Sequence, residues 1–132
     1  MRMVGLRPPD MQTPRYLLAG SSAILVLGGL MHARAFRKAV AAANASDLPA
    51  FYAGSLKALW LIDSATLITL AVVFGFVAAR PGSAAPTVVV LLALIPAATA
   101  ALLYAFIGPF LPAHMLLTAA VLAGIAGGLL AR

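Results

Sequence analysis

One carboxylate stands inside an otherwise apolar stretch of this chain, and it is the residue best placed to do chemistry. Residues 61–79 are apolar except for Asp63 and three hydroxyl side chains, Ser64, Thr66 and Thr69. A carboxylate within a membrane span costs several kcal/mol unless it faces protein, finds a partner or is protonated. The rest of the fold must therefore accommodate Asp63.

Two neighbouring residues, Lys57 and Trp60, indicate where Asp63 lies relative to the bilayer. If the boundary of the apolar layer is near Lys57, Asp63 is about 9 Å deeper, at 1.5 Å per helical residue. Lys57 can extend its ammonium back to water, and tryptophan favours the interface. We therefore group Asp63, Trp60 and Lys57 as a polar intramembrane site.

Three interpretations of Asp63 stay open from the sequence. It could hydrogen-bond to a neighbouring helix and hold the bundle together, which is a common use of polar residues in membranes. It could bind an ion, a proton or a ligand, since intramembrane acids are often functional. It could also lie near enough to the interface to be hydrated.

The only two histidines of the chain are the candidate cofactor-binding residues. His32 is near the end of the first apolar run and His114 is near the start of the fourth. In a four-span topology both lie in the same membrane half as Asp63, within about 10 Å of depth. They could ligate a haem between facing helices or, with Asp63, a divalent metal. The competing interpretation is two interfacial histidines hydrogen-bonded to backbone or headgroups.

Several kinds of chemistry have no residues here to support them. The sequence has no cysteine, which excludes disulfides, thiolate catalysis and Cys-ligated metals. It has no motif for a nucleophile with its base, no phosphate-binding loop and no nucleic-acid motif. Pro96 is the only break inside an apolar run, and the two halves show no repeat of the kind transporters use. The sequence therefore does not indicate an enzyme, and it requires no cofactor.

Composition predicts a membrane protein with a single domain over residues 1–132. The chain is 64% hydrophobic and 9% charged, whereas about 25% of residues are charged in a soluble domain. Four apolar runs near the length of a bilayer span predict an all-α bundle of four transmembrane helices with short loops. The spans are predicted at about 16–36, 56–79, 87–107 and 112–131, after a polar tail at 1–15.

The breaks between these runs are marked by proline, glycine and charge at 44–49, 80–86 and 108–112. The second helix is predicted to start near Asp47, capped by Ser46 or Asp47, and so to extend beyond the bilayer. The first run also has features of a signal peptide, with Ala33-Arg34-Ala35 as a cleavage site. We expect it to be retained as a span.

Small residues recur at four-residue spacing in three of the runs, which predicts close helix packing. Within one chain these rows would pack the helices together, while the last of them is also a candidate contact with another subunit. The rows include Ala71 and Gly75, Ala97 and Ala101, and Gly124 and Gly128.

Charge indicates partners and orientation. The net charge is +6, and because the basic residues flank the apolar runs, anionic lipid headgroups are the expected partner, not nucleic acid. Four spans place both termini on the same side of the membrane. That side has five basic residues and the other has four, which favours termini in the cytoplasm. The cluster of Arg34, Arg37 and Lys38 on the other side argues for the opposite orientation.

These patterns favour an accessory or assembly subunit that packs against a larger integral membrane complex, in a bacterial inner membrane. The alternative is a stand-alone protein that binds haem, quinone, lipid or an ion with a His/Asp cluster at one membrane face. An enzyme that acts on a lipid-soluble substrate is the third interpretation.

Overall fold

The computed structural model describes residues 11–132, and these form four α-helices with no strand among them. The helices are α1 (Gln12–Asn44), α2 (Ala50–Ala79), α3 (Pro86–Phe106) and α4 (Leu111–Leu130). All four are long and apolar enough to cross a membrane. The predicted fold, an all-α integral membrane bundle of four spans, is confirmed.

Proline and glycine set the helix boundaries as expected. Pro86 and Pro112 lie in the first turns of α3 and α4, where the missing N–H would have no helical partner anyway. Gly82 and Gly108 take φ +94° in the two turns after α2 and α3, a conformation that favours glycine.

The predicted cap of α2 is wrong. Pro49 precedes α2 with an extended backbone and makes no side-chain cap, while the Ser46 hydroxyl donates back to the carbonyl of Ala43. The residue before a proline is disfavoured in the helical region, and here Leu48, which precedes Pro49, stays outside the helix. The helix starts only after the proline.

The first helix is longer than the predicted span of 16–36. It begins at Gln12, within the predicted tail, and continues to Asn44, 33 residues in all. The Ala-rich segment after Lys38 has high helix propensity and nothing in it stops the helix. Residues 1–10 of the predicted tail lie outside the described part of the chain.

The four helices pack in the order α2, α1, α4, α3. Helix α1 packs along both α2 and α4, and α3 packs along α4, whereas α2 and α3 barely touch. Two adjacent serines hold the centre: Ser21 donates to the carbonyl of Ala119 on α4 (2.8 Å), and Ser22 donates to that of Ala71 on α2 (2.7 Å). Consecutive helical residues point about 100° apart, so the pair reaches both neighbours of α1.

The predicted packing rows are only partly used inside the chain. Ala71 is buried, and Gly75 lies against Ser22 of α1. Ala97 is half-buried, but Ala101 and Gly128 are exposed, and a methyl group at Gly124 or Gly128 would meet nothing within 4 Å. The prediction that Ala101, Gly124 and Gly128 pack the helices of this chain together is therefore wrong.

The fourth helix packs through a different row of small residues. Its buried residues follow the alternating three- and four-residue spacing that keeps a stripe facing its neighbours; a strict four-residue row drifts off that face by about 40° per step. The buried small residues of α4 are Ala113, Ala119, Ala120, Ala123, Ala126 and Gly127.

The α1–α2 hairpin extends past α3 and α4. Since Ser21 contacts Ala119 and the helices are antiparallel, Leu111, eight residues before Ala119, lies level with Gly29. Helix α1 continues to Asn44, about 20 Å farther. We call residues 33–59 the projecting hairpin, and its length agrees with the prediction that α2 extends beyond the bilayer.

Candidate functional site

Four side chains of α1 and α2 meet at the base of the projecting hairpin. His32 Nδ1 lies 2.9 Å from Ser64 Oγ, and His32 Nε2 lies 3.6 Å from Asp63 Oδ2. The Trp60 indole stacks on the imidazole with ring centroids 4.2 Å apart and planes 10° apart. We call these four residues the His32 cluster.

Backbone contacts fix the cluster's geometry. The Trp60 indole N–H donates to the carbonyl of His32 at 2.7 Å, and the Ser64 hydroxyl lies 3.0 Å from the carbonyl of Trp60, one turn earlier. Trp60 and Ser64 are four residues apart and share a helix face. The ring of His32 is therefore held by the indole on one side and by the serine at its edge.

The cluster lies at the boundary of the apolar layer. Helices α3 and α4, at 21 and 20 residues, are about 30 Å long and match a hydrocarbon core. His32 is three residues past Gly29, the level at which α4 begins, so the cluster lies about 5 Å beyond that end. Asp63 is thus shallower than the depth of about 9 Å estimated from Lys57.

Lys57 does not join Asp63. Its ammonium donates to Asn44 Oδ1 at 2.7 Å, at the far end of the hairpin. The register of α1 and α2 places Lys57 two turns outward of Asp63, and the carboxylate instead faces His32. The predicted site keeps Asp63 and Trp60 together and separates Lys57 from them.

The second histidine belongs to a different helix pair. His114 Nδ1 lies 2.6 Å from the Tyr104 hydroxyl, which joins α4 to α3. His32 and His114 are thus each bonded to their own neighbour, which gives no support to a haem held between them. Within residues 11–132, no three His, Asp or Glu side chains are grouped to hold a metal.

The His32 cluster presents no accessible nucleophile. His32 and Asp63 are partly exposed, with 28% and 36% of their side chains accessible. Ser64, by contrast, is 6% exposed and lies within hydrogen-bond distance of a main-chain carbonyl. The polar groups that the cluster exposes are therefore the imidazole of His32 and the carboxylate of Asp63.

The chain matches no family model, no curated protein and no solved structure. The site is therefore interpreted from its own geometry.

Sequence reasoning missed the roles of Ser64 and Tyr104. Counting residues outward from the turn between α1 and α2 would have indicated Ser64. Because α1 ends at Asn44 and α2 begins at Ala50, a residue of α1 and a residue of α2 whose numbers sum to about 94 lie at the same height along the hairpin. His32 then lies opposite residue 62, within half a turn of Ser64. The same argument applied to the turn between α3 and α4 brings Tyr104 near His114.

Substitutions of Asp63 test whether the charge of this side chain or only its size and polarity stabilises the bundle. We expect Asp63→Asn to leave the free energy of unfolding almost unchanged, because the amide keeps the size of the side chain and most of its hydrogen-bonding capacity. Asp63→Leu leaves His32 Nε2 without its partner and should cost about 1 kcal/mol, a modest value because the pair is partly exposed. Thermal unfolding in detergent measures both, with exposed Asp47→Leu as the control. Equal stability of Asp63→Leu and unaltered protein would contradict a structural role for the pair.

Proposed function

We propose that this protein is an accessory or assembly subunit that packs against a larger integral membrane protein. The observation that supports this is the open arrangement of the helices: α2 and α3 barely touch, so each has one long side in contact with its own chain and one side free. On α3 the free side carries Ala101 and Ala105, both exposed. Small side chains let another helix approach closely, since lipid gives helices little reason to associate through apolar area alone.

The same feature recurs on α4. Gly124 and Gly128 have open space where a side chain would be, although they form the G-x-x-x-G spacing typical of helix contacts. The small rows that the chain does not use for its own packing are therefore available to a partner helix. We take that partner to be a span of a different, larger membrane protein.

The proposal places the protein in the bacterial inner membrane with both termini in the cytoplasm, and gives it anionic lipid neighbours. At the end with the termini, a groove of about 350 Å³ between α1 and α2 is lined by residues that include Arg15, Ala19 and Gly75. The Arg15 side chain donates through Nε to the carbonyl of Ala78 and is otherwise exposed. An arginine beside small apolar residues suits a lipid phosphate next to its acyl chain.

Partner retention tests the proposal. Tagged protein is extracted from native membranes in mild detergent, and copurifying membrane proteins are identified by mass spectrometry. We expect Ala101→Phe and Gly124→Leu to lose the partner about tenfold or more while keeping the unfolding temperature, because Ala101 is exposed and a Cβ at half-buried Gly124 would meet nothing within 4 Å. Val72→Phe, at an exposed apolar position of α2, is the matched control.

Two results would overturn the proposal. Retention of the same partner by both small-to-large variants would mean that the small rows do not face it. Recovery of this chain alone, or only in multiples of its own mass, would replace the larger partner with a second copy or with lipid.

A second candidate function is a stand-alone binding protein, and the His32 cluster is the observation that favours it. Because His32 and His114 lie in different helix pairs, a small cation fits this alternative better than haem. A Soret absorption band in the purified protein would reverse that preference.

A further inference from the structure

The projecting hairpin carries large apolar side chains beyond the membrane. Among residues 33–59 only Ala43 is buried, whereas Phe51, Tyr52 and Leu56 are 76%, 58% and 50% exposed. By the register of the hairpin these three lie about 14 to 21 Å past the end of α4. Large apolar side chains grouped on a surface outside the membrane mark a site of interaction.

A groove in the same part of the hairpin is open to a side chain of a partner. It has a volume of about 280 Å³ and lies between α1 and α2. Ala42, Leu48 and Leu56 are among the apolar residues that line it, and Lys57 lines it as well. Pockets of this kind receive the buried anchor residues of protein–protein contacts.

The lipid bilayer does not reach this groove. Helices α1 and α2 continue unbroken across the membrane boundary, and neither has a proline or a glycine there, at 32–44 or at 55–63. Sharp helix kinks arise mainly at such residues, so the hairpin continues the direction of the two spans. The groove is therefore held clear of the headgroup layer, which is about 5 to 8 Å thick on each side of the membrane.

Charge disfavours a second copy of this chain as the occupant of the groove. The hairpin has four basic residues, Arg34, Arg37, Lys38 and Lys57, and one acidic residue, Asp47. Two such hairpins side by side would bring like charges together, which is unfavourable across an interface. A partner with carboxylates would instead meet charges of opposite sign.

Two of the basic residues lie next to the groove. Lys57 lines it, and Lys38 is four residues before Ala42, on the same face of α1. Both lysines lie about 12 to 14 Å past the end of α4, beyond the headgroups. An apolar groove with lysines beside it is complementary to an apolar side chain with carboxylates around it.

We propose that the projecting hairpin binds the extramembrane surface of a different protein. A large apolar side chain of that protein enters the groove, and its acidic residues contact Lys38 and Lys57. The contact lies outside the membrane and does not rest on the small rows of α3 and α4 that support the proposed function.

Labelling of a single cysteine measures whether the groove is covered. The chain has no cysteine of its own, so Leu56→Cys is the only target for a maleimide. Ala41→Cys, at an exposed position of α1 that does not line the groove, is the matched control. The rate for Leu56→Cys relative to Ala41→Cys is measured in three preparations: broken native membranes with the chain at its native level, purified protein in detergent, and vesicles of phosphatidylcholine and phosphatidylglycerol.

We expect the relative rate to be lower by about tenfold or more in native membranes than in detergent or vesicles, because a contact that fills the groove excludes the reagent together with water.

Charge reversal tests the chemistry of the partner. In the Leu56→Cys background, Lys38→Glu should restore rapid labelling in native membranes, because it places a carboxylate opposite the partner's acidic residues. Arg37→Glu makes the same change of charge about 100° farther round α1 from Ala42 and should keep the protection. Both positions are exposed, and circular dichroism checks that the helices are retained.

Three results would overturn this proposal. Equal relative rates in native membranes and in detergent would mean that nothing covers the groove. Protection in the vesicles, which contain lipid and copies of this chain but no other protein, would assign the cover to one of those two. Equal effects of Lys38→Glu and Arg37→Glu would remove the acidic contact beside the groove.

Discussion

Gly127→Leu is expected to destabilise the bundle by about 3 kcal/mol, the upper part of the range for overpacked cores. A Cβ at this position would lie 2.7 Å from Val90 Cγ2, 3.2 Å from Val90 N and 3.3 Å from Pro86 O. Two of these three atoms belong to the backbone of α3, which cannot move aside as a flexible side chain can. Relief would require α4 to move away from the first turns of α3, where Pro86 and Val90 face Gly127.

The neighbouring glycine provides the control for this prediction. Gly128 is exposed and has open space in place of its Cβ, so Gly128→Leu should keep the stability of the unaltered protein in detergent. Chemical or thermal unfolding followed by circular dichroism compares the two variants. Equal stability of both would mean that α3 and α4 do not cross as closely as the structure places them.

This pair of glycines also marks the limit of what sequence alone could predict. The four helices and their breaks were predictable because apolar length, proline and glycine are local signals. The packing face of α4 was not, because small residues occur on both sides of the helix. Ala119 and Ala123 form a row at the same spacing as Gly124 and Gly128, and only the tertiary contacts choose between them.

The sequence could predict how far along α1 and α2 the candidate site lies, but not which side chains of α2 turn toward α1. Counting outward from the turn at 45–49 brings His32 level with residues 60–64 of α2. It does not say which of Trp60, Asp63 or Ser64 turns toward α1, because neighbouring residues of a helix point about 100° apart. The stacking of His32 on Trp60 depends on that rotation. Lys57 is separated from Asp63 by level instead, since it lies nearly two turns farther out along α2 and contacts Asn44.

Packing, not the burial of apolar surface, should dominate the stability of this bundle. A side chain that leaves the core of a membrane protein enters lipid, which is as apolar as the core. Large apolar residues on the outside therefore contribute little, whereas a buried one loses its contacts when it is truncated. Two phenylalanines of α2, only two positions apart, make this difference measurable.

Phe74→Ala should lower the free energy of unfolding by about 2 kcal/mol, less than the 3–5 kcal/mol typical of soluble cores because the unfolded reference is also apolar. Phe74 is 0% exposed and belongs to the core that includes Leu18 and Leu25 of α1. Phe76 is 51% exposed and its ring lies under the Arg80 guanidinium, so Phe76→Ala should lose well under 1 kcal/mol. Both variants are compared by reversible unfolding in detergent micelles, where the exposed ring faces an apolar surround. A larger loss at Phe76 than at Phe74 would mean that the outer side of α2 is a packed interface and the assigned core is not.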